Sequence, residues 1–215
     1  MKVFVIHYKK LVDRKDHILN QFKKHHITDY EFIEIDRDEL ENEDISMFIN
    51  NFSKATIAIS LSHIYAYKQI SEKYDCGLIF EDDVILSDDF THIFNRYMNE
   101  LPEDYDMLFI GNGCGLHIEQ HKLIPNKYIY EKGLFPTPWG GDGAGRCIDS
   151  YVVNKKCAIK LCDYISNLTY KIDIGCDWWL NRAARDNNFK VYWAEPTIVT
   201  QGTQNGSFQI SYEYI

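Results

Sequence analysis

Between residues 78 and 83 the chain reads Leu-Ile-Phe-Glu-Asp-Asp, an apolar run that gives way at once to three adjacent carboxylates. A short apolar run entered through Cys76-Gly77 reads as a buried strand, and like charges at its end cost energy unless something cationic shares the site. A hard divalent cation answers that cost, because Mg²⁺ or Mn²⁺ takes one or two carboxylates together with phosphate oxygens. In an open α/β sheet the ligand crevice lies at the carboxyl ends of the strands, which is where this triplet falls. Side chains alternate along a strand, so Glu81 and Asp83 are expected to point one way and Asp82 the other.

The rest of the chain supplies the sheet and its cover. Val3 to Ile6 reads as a strand followed by a helix carrying Ile18, Leu19 and Phe22. Glu31 to Asp36 alternates as a second strand, and 54–74 is the longest helix, with Ser53 or Thr56 as its cap. Helices are predicted over 90–99, from Asn154 to Ile165 and from Asp177 onward, and strands over 107–110, 149–153 and 191–193. Four glycines and two prolines in Pro136 to Gly145 make that stretch a loop, read as a lid over the site. Strands alternating with helices indicate an α/β sandwich. At 215 residues one domain is expected, with a donor-binding half over about 1–111 and an acceptor-binding half over about 112–215. The polar, aromatic tail has no obvious stop, as in one domain of a longer protein.

Charge narrows the partners. Lys and Arg number 23 against 32 Asp and Glu, a formal charge of −9, so nucleic acid is not an expected partner and an anionic ligand needs a metal and a few placed cations. No apolar run reaches the ~18 residues of a membrane span, and the opening turns polar too early for a signal peptide, so a cytoplasmic protein is expected. The six cysteines form no CxxC pair and read as reduced packing residues. The sequons at Asn51, Asn167 and Asn205 read as coincidence. A P-loop kinase is excluded, since GxxxxGK[ST] does not occur.

The stretch ATIAISLSHIYAYKQI, followed by GLIFEDDVILSDDF, resembles the core of the family 25 glycosyltransferases, in which a Leu-Ser-His helix precedes a strand ending in Glu-Asp-Asp. The opening VFVIHYKKLVDRKDHI is similar to that family's first strand, loop and Arg-bearing helix, with His7-Tyr8 where the family usually has Asn-Leu. DSYVVNKKCAIKL and WAEPTIVTQG resemble its later strand-helix segment and closing strand. The resemblance implies a GT-A fold, that is, a three-layer sandwich around a mixed, mostly parallel sheet, with a nucleotide-sugar donor and inversion at the anomeric carbon.

Roles follow from chemistry. Neutralising a departing diphosphate calls for a metal, with Asp83 as first ligand and Glu81 as second ligand or donor contact. Asp82 is read as a ribose or sugar contact. Arg14, His7 and Tyr8 at the first strand-helix junction, Ser62 and His63 on the long helix, and Gln201 near the end complete the expected donor site. Ser60, His63 and Tyr67 share one face of that helix. An inverting transfer needs a general base; Asp177 leads, with Asp173 and Asp142 in reserve. Trp139, Trp178 and Trp179 are expected to stack on an acceptor sugar. The expected activity moves a hexose from UDP-galactose or UDP-glucose to a glycan or glycoprotein with Mn²⁺ or Mg²⁺. The alternative is a noncatalytic module that keeps the GT-A shape and binds sugar nucleotide or glycan. A metal-dependent phosphoesterase is a third reading, set back by missing His and Asp motifs.

Overall fold

The structure, a computed structural model, describes residues 1–133 and 145–209. The glycine-rich loop, with Trp139 and Asp142, lies outside the described residues. A seven-stranded sheet forms the centre, in the order β2-β1-β3-β7-β5-β8-β6. Its strands are β1 (Lys2–Ile6), β2 (Tyr30–Ile33), β3 (Cys76–Glu81), β5 (Met107–Phe109), β6 (Ile129–Glu131), β7 (Ser150–Asn154) and β8 (Val191–Ala194). β1 runs parallel to β2 and β3, and β5 parallel to β8, while β7 is antiparallel to β3 and β5 and β6 is antiparallel to β8. The sheet is therefore mixed and mostly parallel.

Alternation along the strands divides the core into two layers. Phe4, Ile6, Ile79 and Val153 face α2 (Lys54–Lys73), α4 (Lys155–Ser166) and α5 (Cys176–Asp186), while Val3, Val5, Leu78, Phe80 and Val152 face α1 (Val12–Lys24) and α3 (Phe90–Glu100). A sheet buried on both faces accounts for the unbroken apolar runs in its central strands. The expected caps form: Ser53 Oγ accepts from the Thr56 amide at 3.5 Å, and Asn154 Oδ1 from that of Cys157 at 2.7 Å.

Two differences from the sequence reading bear on the site. The second strand ends at Ile33, so Ile35 and Asp36 belong to the following loop. Two three-residue strands, β4 (Val84–Leu86) and β9 (Val199–Gln201), pair antiparallel in a sheet of their own, with Val84 opposite Gln201. That pairing delivers the residues after β9 to the carboxylate triplet.

Candidate functional site

A cleft of about 600 Å³ opens where β1 and β3 end, closed on its sides by the loops after β5 and β9, by α2 and by the start of α5. All three carboxylates of the triplet line it. They do not share one environment. Asp82 is 6% exposed and held by the loop after β1: its Oδ1 accepts from Arg14 Nη1 at 2.7 Å, and its Oδ2 lies 2.9 Å from His7 Nδ1 and accepts from the Tyr8 amide at 3.3 Å. Arg14 also donates to the Gln209 carbonyl at 2.6 Å. Both oxygens of Asp82 are thus engaged, with one lone pair of Oδ1 left to accept a further hydrogen bond.

Asp83 is 2% exposed and turned toward the closing strand. Its Oδ2 accepts from Thr203 Oγ1 at 2.5 Å and from the Thr203 amide at 3.2 Å, and its carbonyl from the Gly202 amide at 2.7 Å. Its Oδ1 is buried with no hydrogen-bond partner. Glu81 keeps 21% of its side chain exposed, accepts from Gln201 Nε2 at 3.3 Å and faces His63 Nε2 at 3.7 Å.

Asp149 is a further carboxylate, behind the cleft lining and beside Glu81, 1% exposed and immediately before β7. The antiparallel entry of β7 places its carbonyl 2.8 Å from the Glu81 amide. Its Oδ2 accepts from Ser150 Oγ at 2.8 Å, and its Oδ1 has no partner. A Cβ at position 111 would sit 2.5 Å from Oδ2, so glycine there makes room for the acid. Burial, then Asp83 and Asp149, pushes the Glu81 carboxyl well above the usual range. Burial also raises Asp83, against the pull of the Thr203 bonds, and lifts Asp149 to about 7. Carboxylates that resist ionising together, beside the orphaned Asp83 Oδ1, fit a divalent cation. No group of three His, Cys, Asp or Glu suited to holding a metal occurs among the described residues. A Mg²⁺ or Mn²⁺ site needs no such cage, since one or two carboxylates suffice when water and phosphate oxygens complete the shell.

His63 is fully buried behind Glu81, and burial lowers its pKa to about 3, so it is neutral. Its Nδ1 lies 2.8 Å from the Tyr151 hydroxyl, which lies 2.6 Å from that of Tyr67. The polar face of α2 is accordingly an internal chain, Tyr67 to Tyr151 to His63 to Glu81. Ser62 lines the cleft with its hydroxyl turned back onto the Ala58 carbonyl at 2.8 Å.

On the opposite wall α5 begins at the cleft. Asp177 lines it, with Oδ1 accepting from the Trp178 amide at 2.9 Å, and burial pushes its carboxyl upward. Trp178 lines the cleft and is 43% exposed. Trp179 is not brought there: it is 2% exposed and packs in the core against Tyr164, because one step along a helix turns a side chain by about 100°. Asp173 does not line the cleft either and sits 3.8 Å from Arg182.

Known proteins bear directly on this arrangement. The model of glycosyltransferase family 25, described as LPS biosynthesis protein, matches residues 1–136. The chain belongs to glycosyltransferase family 25. A protein of Acanthamoeba polyphaga mimivirus named "Putative glycosyltransferase R655" is 27% identical over 172 residues, covering 74% of this chain. The chain spans about half the length of that curated relative, 51%. Galactosyltransferase LgtC, solved with donor and acceptor sugar analogs, superposes with a TM-score of 0.52 at 10% identity, over 94% of this chain and 86% of its own. The fold is GT-A.

The family match contains the Leu-Ser-His helix and the Glu-Asp-Asp strand of this family 25 chain. Asp149, Asp177, Gln201 and Thr203 lie beyond it. Sequence reasoning missed Asp149, Thr203 and Arg37, whose guanidinium lies 4.2 Å from the centre of the Tyr8 ring at the cleft. Asp149 had a signal, an acid flanking an apolar strand as Glu81 does. Thr203 had none, since only the β4–β9 pairing brings it to Asp83.

Proposed function

We propose that the chain transfers a hexose from a UDP-sugar, UDP-galactose or UDP-glucose, to a hydroxyl of a glycan or glycoprotein acceptor, with inversion. The observation that carries this reading is the buried Asp83, its Oδ2 fixed by Thr203 and its Oδ1 unpartnered, at the end of a strand that opens into the cleft. Asp83 and Glu81 are the residues that would hold Mn²⁺ or Mg²⁺. When bound, the cation supplies Lewis-acid neutralisation of the leaving diphosphate.

The chain's own residues divide the remaining work. Arg14 and Arg37 place positive charge on the cleft lining of a protein whose overall charge is −9, which answers the need for local cations. His7 and Arg14 hold Asp82 and so fix the loop after β1 against the end of β3. Tyr8, stacked with Arg37, offers a flat surface to the nucleobase. Neutral His63 and Gln201 orient Glu81 from either side. Asp177, raised toward neutrality, accepts the proton of the acceptor hydroxyl, and Trp178 presents an exposed indole to the acceptor ring.

Calorimetry with Mn²⁺ against UDP-, GDP- and CMP-sugars tests the donor, and UDP-sugars alone are expected to bind. Asp177→Asn is expected to bind donor with unchanged affinity and to lose at least about 100-fold in turnover. Donor binding with only slow background turnover, left unchanged by each of Asp177→Asn, Asp173→Asn and Asp142→Asn, would instead support a noncatalytic module of the same shape.

A further inference from the structure

We infer that Cys114 and Cys147 are a redox-sensitive pair in the wall of the cleft, closing to a disulfide that weakens binding at the Glu81–Asp83 site. The two sulfurs lie 3.4 Å apart although the residues are 33 positions apart in the chain, and both residues line the cleft. Cys114 is exposed and Cys147 half-buried. Backbone packing creates the approach. A Cβ at Gly113 would stand 2.3 Å from the Cys147 nitrogen and 2.7 Å from its Cβ, so the two segments touch main chain to main chain. Cys114 follows in the left-handed region at φ 58°, where glycine would be the less strained residue.

The pair is wired to the carboxylates. Gln204 Oε1 accepts from the Cys114 amide at 3.0 Å, and Gln204 Nε2 reaches Cys147 Sγ at 3.4 Å and Gln201 Oε1 at 2.6 Å. Gln201 in turn donates to Glu81 Oε2 at 3.3 Å. A disulfide holds its sulfurs about 2.05 Å apart, so the thiols must draw together by more than an ångström. That movement shifts both of the anchors Gln204 has on this wall and leaves Gln201 with a less fixed partner. This effect on binding rests on the proposed function, whereas the disulfide itself does not.

The oxidant is a low-molecular-weight disulfide. The exposed Cys114 sulfur, as thiolate, attacks one of its sulfurs; that S–S bond breaks and one thiolate leaves, giving a mixed disulfide on Cys114. Burial pushes the Cys147 thiol up, which suits it to the second step rather than the first. Cys147 gives its proton to solvent and attacks the Cys114 sulfur, and the second thiolate leaves. The two protons lost by the protein end on the two released thiols, so the protein is oxidised by two electrons and the reagent reduced by two.

The test incubates the reduced chain with oxidised glutathione, then titrates free thiols and maps the cross-linked peptides. We expect loss of two of the six thiols, a Cys114–Cys147 cross-link and its reversal by dithiothreitol. The Cys147→Ser chain is expected to stop at a glutathione adduct on Cys114. Six surviving thiols, or a cross-link between other cysteines, would overturn the pair. Calorimetry with Mn²⁺ and UDP then compares the two redox states, with about five- to tenfold weaker binding expected after oxidation. Equal affinities would overturn the coupling. A reduced chain that binds no UDP would tell against the proposed function, while the thiol titration would still decide the disulfide.

Discussion

Thr203 and Asp149 carry the residue-scale argument, because neither belongs to the triplet and each governs how it behaves. Thr203 gives Asp83 Oδ2 two hydrogen bonds and leaves Oδ1 without a partner. Groups that orient a metal ligand typically matter by 10- to 100-fold. Thr203→Val removes the hydroxyl bond and is expected to weaken Mn²⁺ binding by about tenfold in calorimetry, with the fold retained. Asp149 sets a pH dependence. Its pKa rises from 3.8 to about 7 on folding, mainly through burial. Below the unfolded value both states hold the proton. Above it the unfolded chain releases the proton and the folded chain keeps it, so stability falls as pH rises toward 7 and the loss is complete above that. Buried His63 works the other way up to pH 6.5, so the Asp149 share is read by difference: between pH 5 and pH 8 the metal-free Asp149→Asn chain is expected to lose less stability, or gain more, than the unsubstituted chain in urea titrations.

At the scale of elements, the long helix and the antiparallel strand β7 have to be considered together. The polar residues of α2 look like a solvated stripe until β7 places Tyr151 among them, which makes the stripe an internal hydrogen-bonded chain from Tyr67 to His63, whose Nε2 faces Glu81 at 3.7 Å. Tyr151→Phe leaves the Tyr67 hydroxyl and His63 Nδ1 buried without their shared partner. An unsatisfied buried polar group costs roughly 1–3 kcal/mol, so urea unfolding is expected to show a loss of that size. The short strands β4 and β6 were not legible because three residues carry too little periodicity to separate strand from loop, whereas β5, equally short, is marked by the glycines that close it. The longer runs of β1, β3 and β7 and the capped helices α2 and α4 were legible, since each repeats its pattern over several residues or signals its start with Ser53 or Asn154.

For the whole molecule the governing quantity is charge. On the proposed function, a protein at −9 would draw an anionic sugar nucleotide only through local cations, and the cleft lining includes Arg14 and Arg37 beside the carboxylates that would hold a divalent ion. Metal and donor should therefore bind cooperatively. Mn²⁺ or UDP-sugar alone, at 100 times its dissociation constant, is expected to stabilise the fold by about 2.7 kcal/mol in thermal melts, and the two together by more than the roughly 5.4 kcal/mol of their sum. Asp83→Ala is expected to abolish the joint increment, and an unchanged melting curve for the unsubstituted chain would refute the metal-dependent reading.

The alternation of strands and helices, the burial of the strand before Glu81 and the family are all legible in the residues alone, since local period and composition encode which faces are apolar and the Glu-Asp-Asp and Leu-Ser-His motifs are contiguous. How the acids divide depends on the assembled sheet. Asp82 turns to Arg14 and His7, Asp83 to Thr203, and Asp149 arrives beside Glu81. These partners are separated by 68, 75 and 120 positions for Arg14, His7 and Thr203. Pairings over such distances depend on which strand edges meet and in what direction, and no local pattern of side chains records that.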